Sequence, residues 1–340
     1  MRQAPVVDLV VGSTIFRDSF VTGGRGHVDL PRLRAAGVNV VGLTVATAWP
    51  ELNGLLSRWH FRSLGLPPSA VGSNMAIAEW LIGRIERWSA EANGAMVILR
   101  TAADLDRCLV ADGPVGILIG VQGAHVLEGK LCNVARLHSL GVRMLAPAHV
   151  MDNAAVGSGT GRLAGGLTGY GREVIAALEQ TGICVDLAHM SVRGVQDSLA
   201  AVTRPFVLSH TGLTDISRSK SRWQRYSPAT RNIPAALAAE VGSAGGLVGL
   251  VLSTELLGGS TMDAAVQTFA LAIESAGADQ VALGSDMDGA LKMLIDVEGL
   301  PALADALLAS GLSDRIVHGV LGANAVRRFG ECLAVRPLAL

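Results

Sequence analysis

Two histidines, His189 and His210, each follow a short apolar run, Ile183–Ala188 and Phe206–Ser209, and they stand 21 residues apart. That separation is about one strand–helix–strand unit. With both runs as adjacent parallel strands, the two imidazoles emerge side by side at the carboxyl ends of a sheet, where α/β folds carry their chemistry. A carboxylate joins them later in the chain, because the apolar run Val281–Gly284 leads through Ser285 into Asp286, Met287, Asp288 and Gly289. Two neutral nitrogen ligands and an oxygen suit a zinc-like divalent ion. Other apolar runs end in His149 and Gln122. A lone histidine at a strand end is more often a hydrogen-bonded structural group than a ligand, so the weight rests on their joint occurrence.

The elements that must position these groups alternate in type. Apolar runs at Val6–Val11, Val38–Val45, Val115–Val121, Met144–Pro147, Ile183–Leu187, Phe206–Ser209, Leu247–Leu252 and Val281–Gly284 read as eight buried parallel strands. Met96–Leu99 is a ninth candidate, either in a barrel or beside it. Helical patterns fill the intervals: Met75–Ala92 carries Trp80, Ile82, Ile85 and Trp88, the last three at three-residue spacing, Leu167–Thr181 precedes the first histidine strand, and Met262–Ala276 precedes the aspartate strand. This is the pattern of an α/β fold, a (β/α)8 TIM barrel of the metal-dependent hydrolase type, expected as a single domain over residues 1–340. An open doubly wound sheet is the alternative, but Gly23, Gly24 and Gly26 do not follow a strand and open a helix as a dinucleotide turn would. Thr211–Pro234 is the longest irregular stretch, and it carries Arg218, Lys220, Arg222, Arg225 and Arg231 among Trp223 and Tyr226. Most of these charges fit a solvated loop, and the position after His210 also suits a lid or an anion clamp.

Composition excludes several other classes of function. Half of the residues are hydrophobic and only 17% are charged, against about 25% in ordinary globular proteins, so much of the chain must be buried. Net charge is −1, which gives no field to steer toward nucleic acid or anionic lipid. The most apolar uncharged stretch, Val241–Thr254, has 14 residues with four glycines, too short for a membrane span. No signal-peptide pattern opens the chain, and Cys108, Cys132, Cys184 and Cys332 form no CxxC pair, so a reduced cytoplasmic protein with no membrane partner is expected.

Several segments together resemble the renal (membrane) dipeptidase family, zinc peptidases of the amidohydrolase-like barrel type. Gly26–Gly37 resembles the family's GHxDxPRLRxGG segment, Asp186–His189 and Ser209–Thr211 resemble its two zinc-histidine motifs, Gly284–Gly289 its G(G/S)DFDG, and Gly322–Phe329 its closing GxNxxRxF. The resemblance implies that His189 and His210 hold a metal, that His149 contacts the substrate or the tetrahedral intermediate, that Arg231, beside Asn232, binds the substrate carboxylate, and that Asp286 shuttles the proton. It also implies a dipeptide-like small-molecule substrate and a homodimer. The segment between His210 and Arg231 is longer than the family pattern, which makes Arg218 the alternative clamp.

The departures from that pattern are specific. Family members end their first strand in a His-x-Asp pair that binds the other metal, whereas here Asp8 is followed by Leu9, Val10, Val11 and Gly12. The bridging glutamate is replaced by Gln122, and a neutral amide bridges two cations poorly. His27 and Asp29 also spell His-x-Asp, but they belong to the Gly26–Gly37 segment and read as structural. One zinc ion rather than two is therefore expected, with His189, His210 and Gln122 as its protein ligands. The first functional reading is a metal-dependent hydrolase cleaving the amide of a dipeptide or similar small amide. A catalytically impaired homologue that binds small molecules or peptides is the second, and histidines buried in the core without metal the third.

Overall fold

In the computed structural model, residues 4–12, 19–50, 56–58, 60–217 and 228–334 are described. Among them, nine strands form one parallel sheet: β1 Val7–Val11, β2 Val40–Ala46, β3 Met96–Ile98, β4 Val115–Gln122, β5 Val142–Ala146, β6 Cys184–Asp186, β7 Phe206–Thr211, β8 Leu247–Leu250 and β9 Val281–Leu283. Eight of these run in the order β1-β2-β4-β5-β6-β7-β8-β9 and curl into a nearly closed α/β barrel. The ninth candidate is peripheral, since β3 pairs only with the opening residues of β4, Val115 to Ile117, off the barrel path.

Every residue of β1, β2 and β4 is buried. A barrel strand has side chains packed on both faces, which is why these runs are continuously apolar rather than alternating. Helices cover the outside, and their starts are written in the sequence. Thr168 caps Gly169–Thr181 by accepting from Gly171 N, Ser191 caps Val192–Leu199 by accepting from Gly194 N, and Thr261 caps Met262–Ala276 by accepting from Ala264 N. The first of these helices ends at Gly182, whose φ of 83° turns the chain back into β6. Among the described residues, no helix is long and apolar enough to cross a membrane.

The seam between β9 and β1 is joined differently from the other strand pairs. Asp286 N donates to Val10 O at 3.0 Å and Gly12 N to Met287 O at 2.8 Å, both beyond the end of β9. Side chains complete the join: Asp8 Oδ1 accepts from Ser285 N at 2.8 Å, and the Ser285 hydroxyl donates to the other Asp8 oxygen. Burial pushes the Asp8 carboxyl up to about 6, although both Ser285 contacts pull it down. Close approach elsewhere in the barrel depends on glycine, because a Cβ at Gly284 would lie 1.9 Å from Ser209 O on β7.

Candidate active site

The sequence sets His189 and His210 on neighbouring strands, and the fold turns them toward each other. β6 pairs with β7 through Val185–Phe206 and Asp186–Val207. His210 lies inside β7, which runs to Thr211, and His189 stands three residues beyond β6. Their Nε2 atoms are 2.9 Å apart, and the rings meet edge to face with centroids at 4.7 Å. His149, beyond β5, also packs edge to face against His189, at 4.8 Å between centroids. His189 adopts φ +65° and Asp286 φ +59°. Side chains other than glycine rarely take this left-handed region, and such strain is held by surrounding structure most often at functional sites.

Behind His210 stands a relay that strand spacing does not reveal. Ser209 Oγ lies 2.5 Å from Asp186 Oδ2 and 2.8 Å from His210 Nδ1, and Ser209 N donates to Asp186 Oδ1 at 2.9 Å. With Asp186 ionised, the serine hydroxyl donates to the carboxylate and accepts from His210 Nδ1–H. That tautomer leaves the His210 Nε2 lone pair facing His189, the arrangement in which outer partners orient metal-binding imidazoles.

Arg231 joins the histidine pair to Asp286. It closes the short helix Pro228–Arg231, is buried, and donates from Nη2 to His210 O at 3.0 Å. Burial pulls its guanidinium down to about 10, against the supporting charges of Asp286 and Asp186. Burial likewise pushes Asp286 up to about 7, with Arg231 drawing it down and Asp8 raising it. Asn232 is buried with its amide spent inside the chain: Oδ1 accepts from Gly212 N, and Nδ2 donates to Ser217 Oγ and Leu256 O. It fixes the backbone next to Arg231. Arg218 and the other charges from Lys220 to Arg225 lie outside the described residues.

The imidazoles are held neutral. Burial lowers His149 to about 3, with His125 and Arg231 adding to the effect, and burial alone lowers His125 to about 4. His189 and His210 are pushed well below their ordinary value by burial first and then by Arg231. His125, three residues past Gln122, is half-buried, with both ring nitrogens shielded from solvent and neither hydrogen-bonded. Gln122 itself ends β4, is buried, and pairs in register with Ala46 and Ala146.

Whether these donors suit a metal divides into two halves. At His189 and His210 the fit is good. The His189 Nδ1 is buried without a partner, so a proton on either ring nitrogen leaves one imidazole position unsatisfied or two lone pairs opposed, whereas a cation shared by both Nε2 atoms uses those lone pairs. On β1 there is no fit: Val10 and Val11 are buried apolar groups, and a Cβ at Gly12 would lie 2.9 Å from Asp288 O. Among the described residues, no three His, Cys, Asp or Glu side chains are grouped to hold an ion.

His27 and Asp29 also find structural partners, as expected. His27 donates from its backbone N to Asp288 Oδ1 at 2.7 Å with Nδ1 2.9 Å from the same oxygen, and Asp29 caps the helix Leu30–Ala35.

The chain is similar to known dipeptidases. The chain is 26% identical over 321 residues to an uncharacterised dipeptidase of Schizosaccharomyces pombe, covering 91% of this chain and 73% of that protein. It is 27% identical over 317 residues to the dipeptidase tcpJ of Claviceps purpurea, covering 90% and 69%. Among solved structures, a metallo peptidase from Rhodobacter sphaeroides, liganded with a phosphinate mimic of the dipeptide L-Ala-D-Ala, superposes with a TM-score of 0.80 at 25% identity, over 96% of this chain and 99% of that one. The membrane dipeptidase (peptidase family M19) pattern matches residues 1–337. With that match spanning nearly the whole sequence, the chain belongs to the membrane dipeptidase family M19, whose members are metal-dependent dipeptidase-like hydrolases.

Proposed function

We propose that this protein is a metallodipeptidase-like hydrolase working with one zinc ion rather than two, as a single barrel domain over residues 1–340. The observation that carries the reading is the 2.9 Å approach of two buried, neutral imidazole nitrogens beside a β1 end that offers only Val10, Val11 and Gly12. His189 and His210 hold the ion, and Gln122 or water completes the shell. When bound, the ion supplies Lewis-acid polarisation of an amide carbonyl.

The chain's own groups do the rest. Asp286, with its carboxyl near neutrality, takes a proton from the attacking water and returns it to the leaving amine nitrogen. His149, neutral and packed on His189, donates to the oxygen that gains charge. Arg231 binds the substrate's free carboxylate, where a planar guanidinium makes a two-pronged match. Asn232 keeps Arg231 in place through its bonds to Gly212, Ser217 and Leu256. The substrate is a dipeptide or similar small amide, and two copies pair as a homodimer. Residence in the cytoplasm suits four cysteines without a CxxC pair.

The missing β1 ligands favour one alternative, a catalytically impaired homologue that keeps the pocket and clamp as a small-molecule or peptide binding protein. Elemental analysis combined with hydrolysis of a dipeptide panel in added zinc separates the two. One ion per chain with turnover supports the hydrolase, one ion without turnover supports the binding protein, and no ion at saturating zinc overturns both.

A further inference from the structure

Away from the histidine cluster, two cysteines meet across the wall of the barrel. Cys184 opens β6, two residues before Asp186, and Cys332 lies near the end of the helix Asn324–Ala334. Their Sγ atoms are 2.8 Å apart, and both also face Pro205 O, at 3.8 Å from Cys184 and 3.5 Å from Cys332. The residues are 3% and 4% exposed, yet both line a small surface pocket with Glu179, Gly182, Arg204 and Pro205. The separation is short of any resting contact between unlinked thiols and needs only a small closure to reach a bond of about 2.05 Å. They stand 148 positions apart in the sequence, so this is a long-range pairing made by the fold.

We propose that Cys184 and Cys332 form a reversible disulfide, a modification site closed by a low-molecular-weight disulfide such as oxidised glutathione. Cys332, on the outer helix rather than the barrel strand, is the attacking thiol. Its thiolate attacks one glutathione sulfur, forming a mixed disulfide and releasing the first glutathione. Cys184 then attacks the Cys332 sulfur, forming the protein disulfide and releasing the second. The two protein thiols lose two electrons and two protons, and oxidised glutathione takes up both to become two glutathione thiols. The other cysteines do not compete for this bond: Cys108 is buried with its sulfur donating to Asp104 O, and Cys132 is exposed.

The bond would tie the strand leading to Asp186 and His189 to the last helix. Because the cross-link spans a long loop, it restricts the unfolded chain strongly, and the melting temperature rises by on the order of 5 °C. The test uses the full-length wild-type protein incubated with oxidised glutathione, followed by quenching, denaturation and thiol counting. The expected result is a fall from four titratable thiols to two, an intact mass lower by two hydrogens, and a non-reducing peptide map joining the Cys184 and Cys332 peptides, all reversed by dithiothreitol. Cys332→Ala abolishes the mass loss and the thermal shift. Four thiols still titrating after oxidation, or a linkage through Cys108 or Cys132 in place of this pair, overturns the proposal.

Discussion

Ser209 Oγ sits 2.8 Å from Nδ1 of His210, and the same oxygen reaches Asp186. The serine hydroxyl therefore decides which His210 nitrogen carries the proton. Ser209→Ala removes that relay and leaves Asp186 with one fewer donor in a buried site. Zinc affinity is expected to fall by about 10- to 100-fold, as for other lost outer partners of metal-bound histidines, with stability reduced by about 1–3 kcal/mol. Competition titration with a zinc chelator and urea unfolding read the two effects separately.

Asp286→Asn tests the proton shuttle. Loss of the titratable oxygen is expected to lower kcat by about 10²- to 10⁴-fold with little change in zinc content. In the wild type, the carboxyl near 7 must be ionised to accept a proton, so kcat falls as pH drops through about 7. The stability linkage has the opposite sense. A carboxyl raised in the folded state stabilises fully below its unfolded value and loses that contribution as pH rises through about 7, so Asp286→Asn melts higher than wild type above pH 8.

Arg231→Lys keeps the charge and loses the planar fork. KM for a dipeptide with a free carboxylate is expected to rise by about 10- to 100-fold, a loss of ~1.4–2.7 kcal/mol, while the corresponding dipeptide amide is affected little. Equal losses on both substrates would place the role of Arg231 in supporting His210 rather than in binding the carboxylate.

Restoring an aspartate on the first strand is expected to fail as a repair. Gly12→Asp puts a Cβ against Asp288 O and the Gly289 backbone, on the turn that carries Asp286. Elemental analysis should still give no second ion, and stability should fall by about 1–3 kcal/mol from overpacking.

His125 governs part of the acid response. Its folded value near 4 lies below the ordinary 6.5, so its contribution to stability is present above about 6.5 and disappears as pH falls through about 4. His125→Leu removes a ring whose buried nitrogens have no partners, and the midpoint of acid unfolding should move to lower pH. Circular dichroism through pH 7 to 3 compares the two proteins.

The barrel was legible because burial on both faces leaves continuous apolar runs: the eight expected barrel strands are present, and Met262–Ala276 matches its helix residue for residue. The place of Met96–Ile98 was not legible, since an apolar three-residue strand has the same pattern inside or beside a barrel. The histidine pair could be read from strand–helix–strand spacing, and the apolar end of β1 from the residues after Asp8. Ser209, Ser285 and His125 could not. Each serine acts through a partner that only the fold supplies, 23 residues away for Ser209 with Asp186 and 277 for Ser285 with Asp8, and a small polar residue at a strand end carries no periodic signal; the setting of the His125 ring is likewise made by the fold. The one available hint for the serines was their repeated setting, each directly before the His210 or Asp286 that follows.

The Asp8–Ser285 stitch has a consequence for biosynthesis. Because the partners are 277 residues apart, a ribosome must deliver most of the polypeptide before the first stave finds its last neighbour. Until then β1 has an unguarded edge able to pair with a foreign strand, which makes premature termination before Ser285 a route to aggregation.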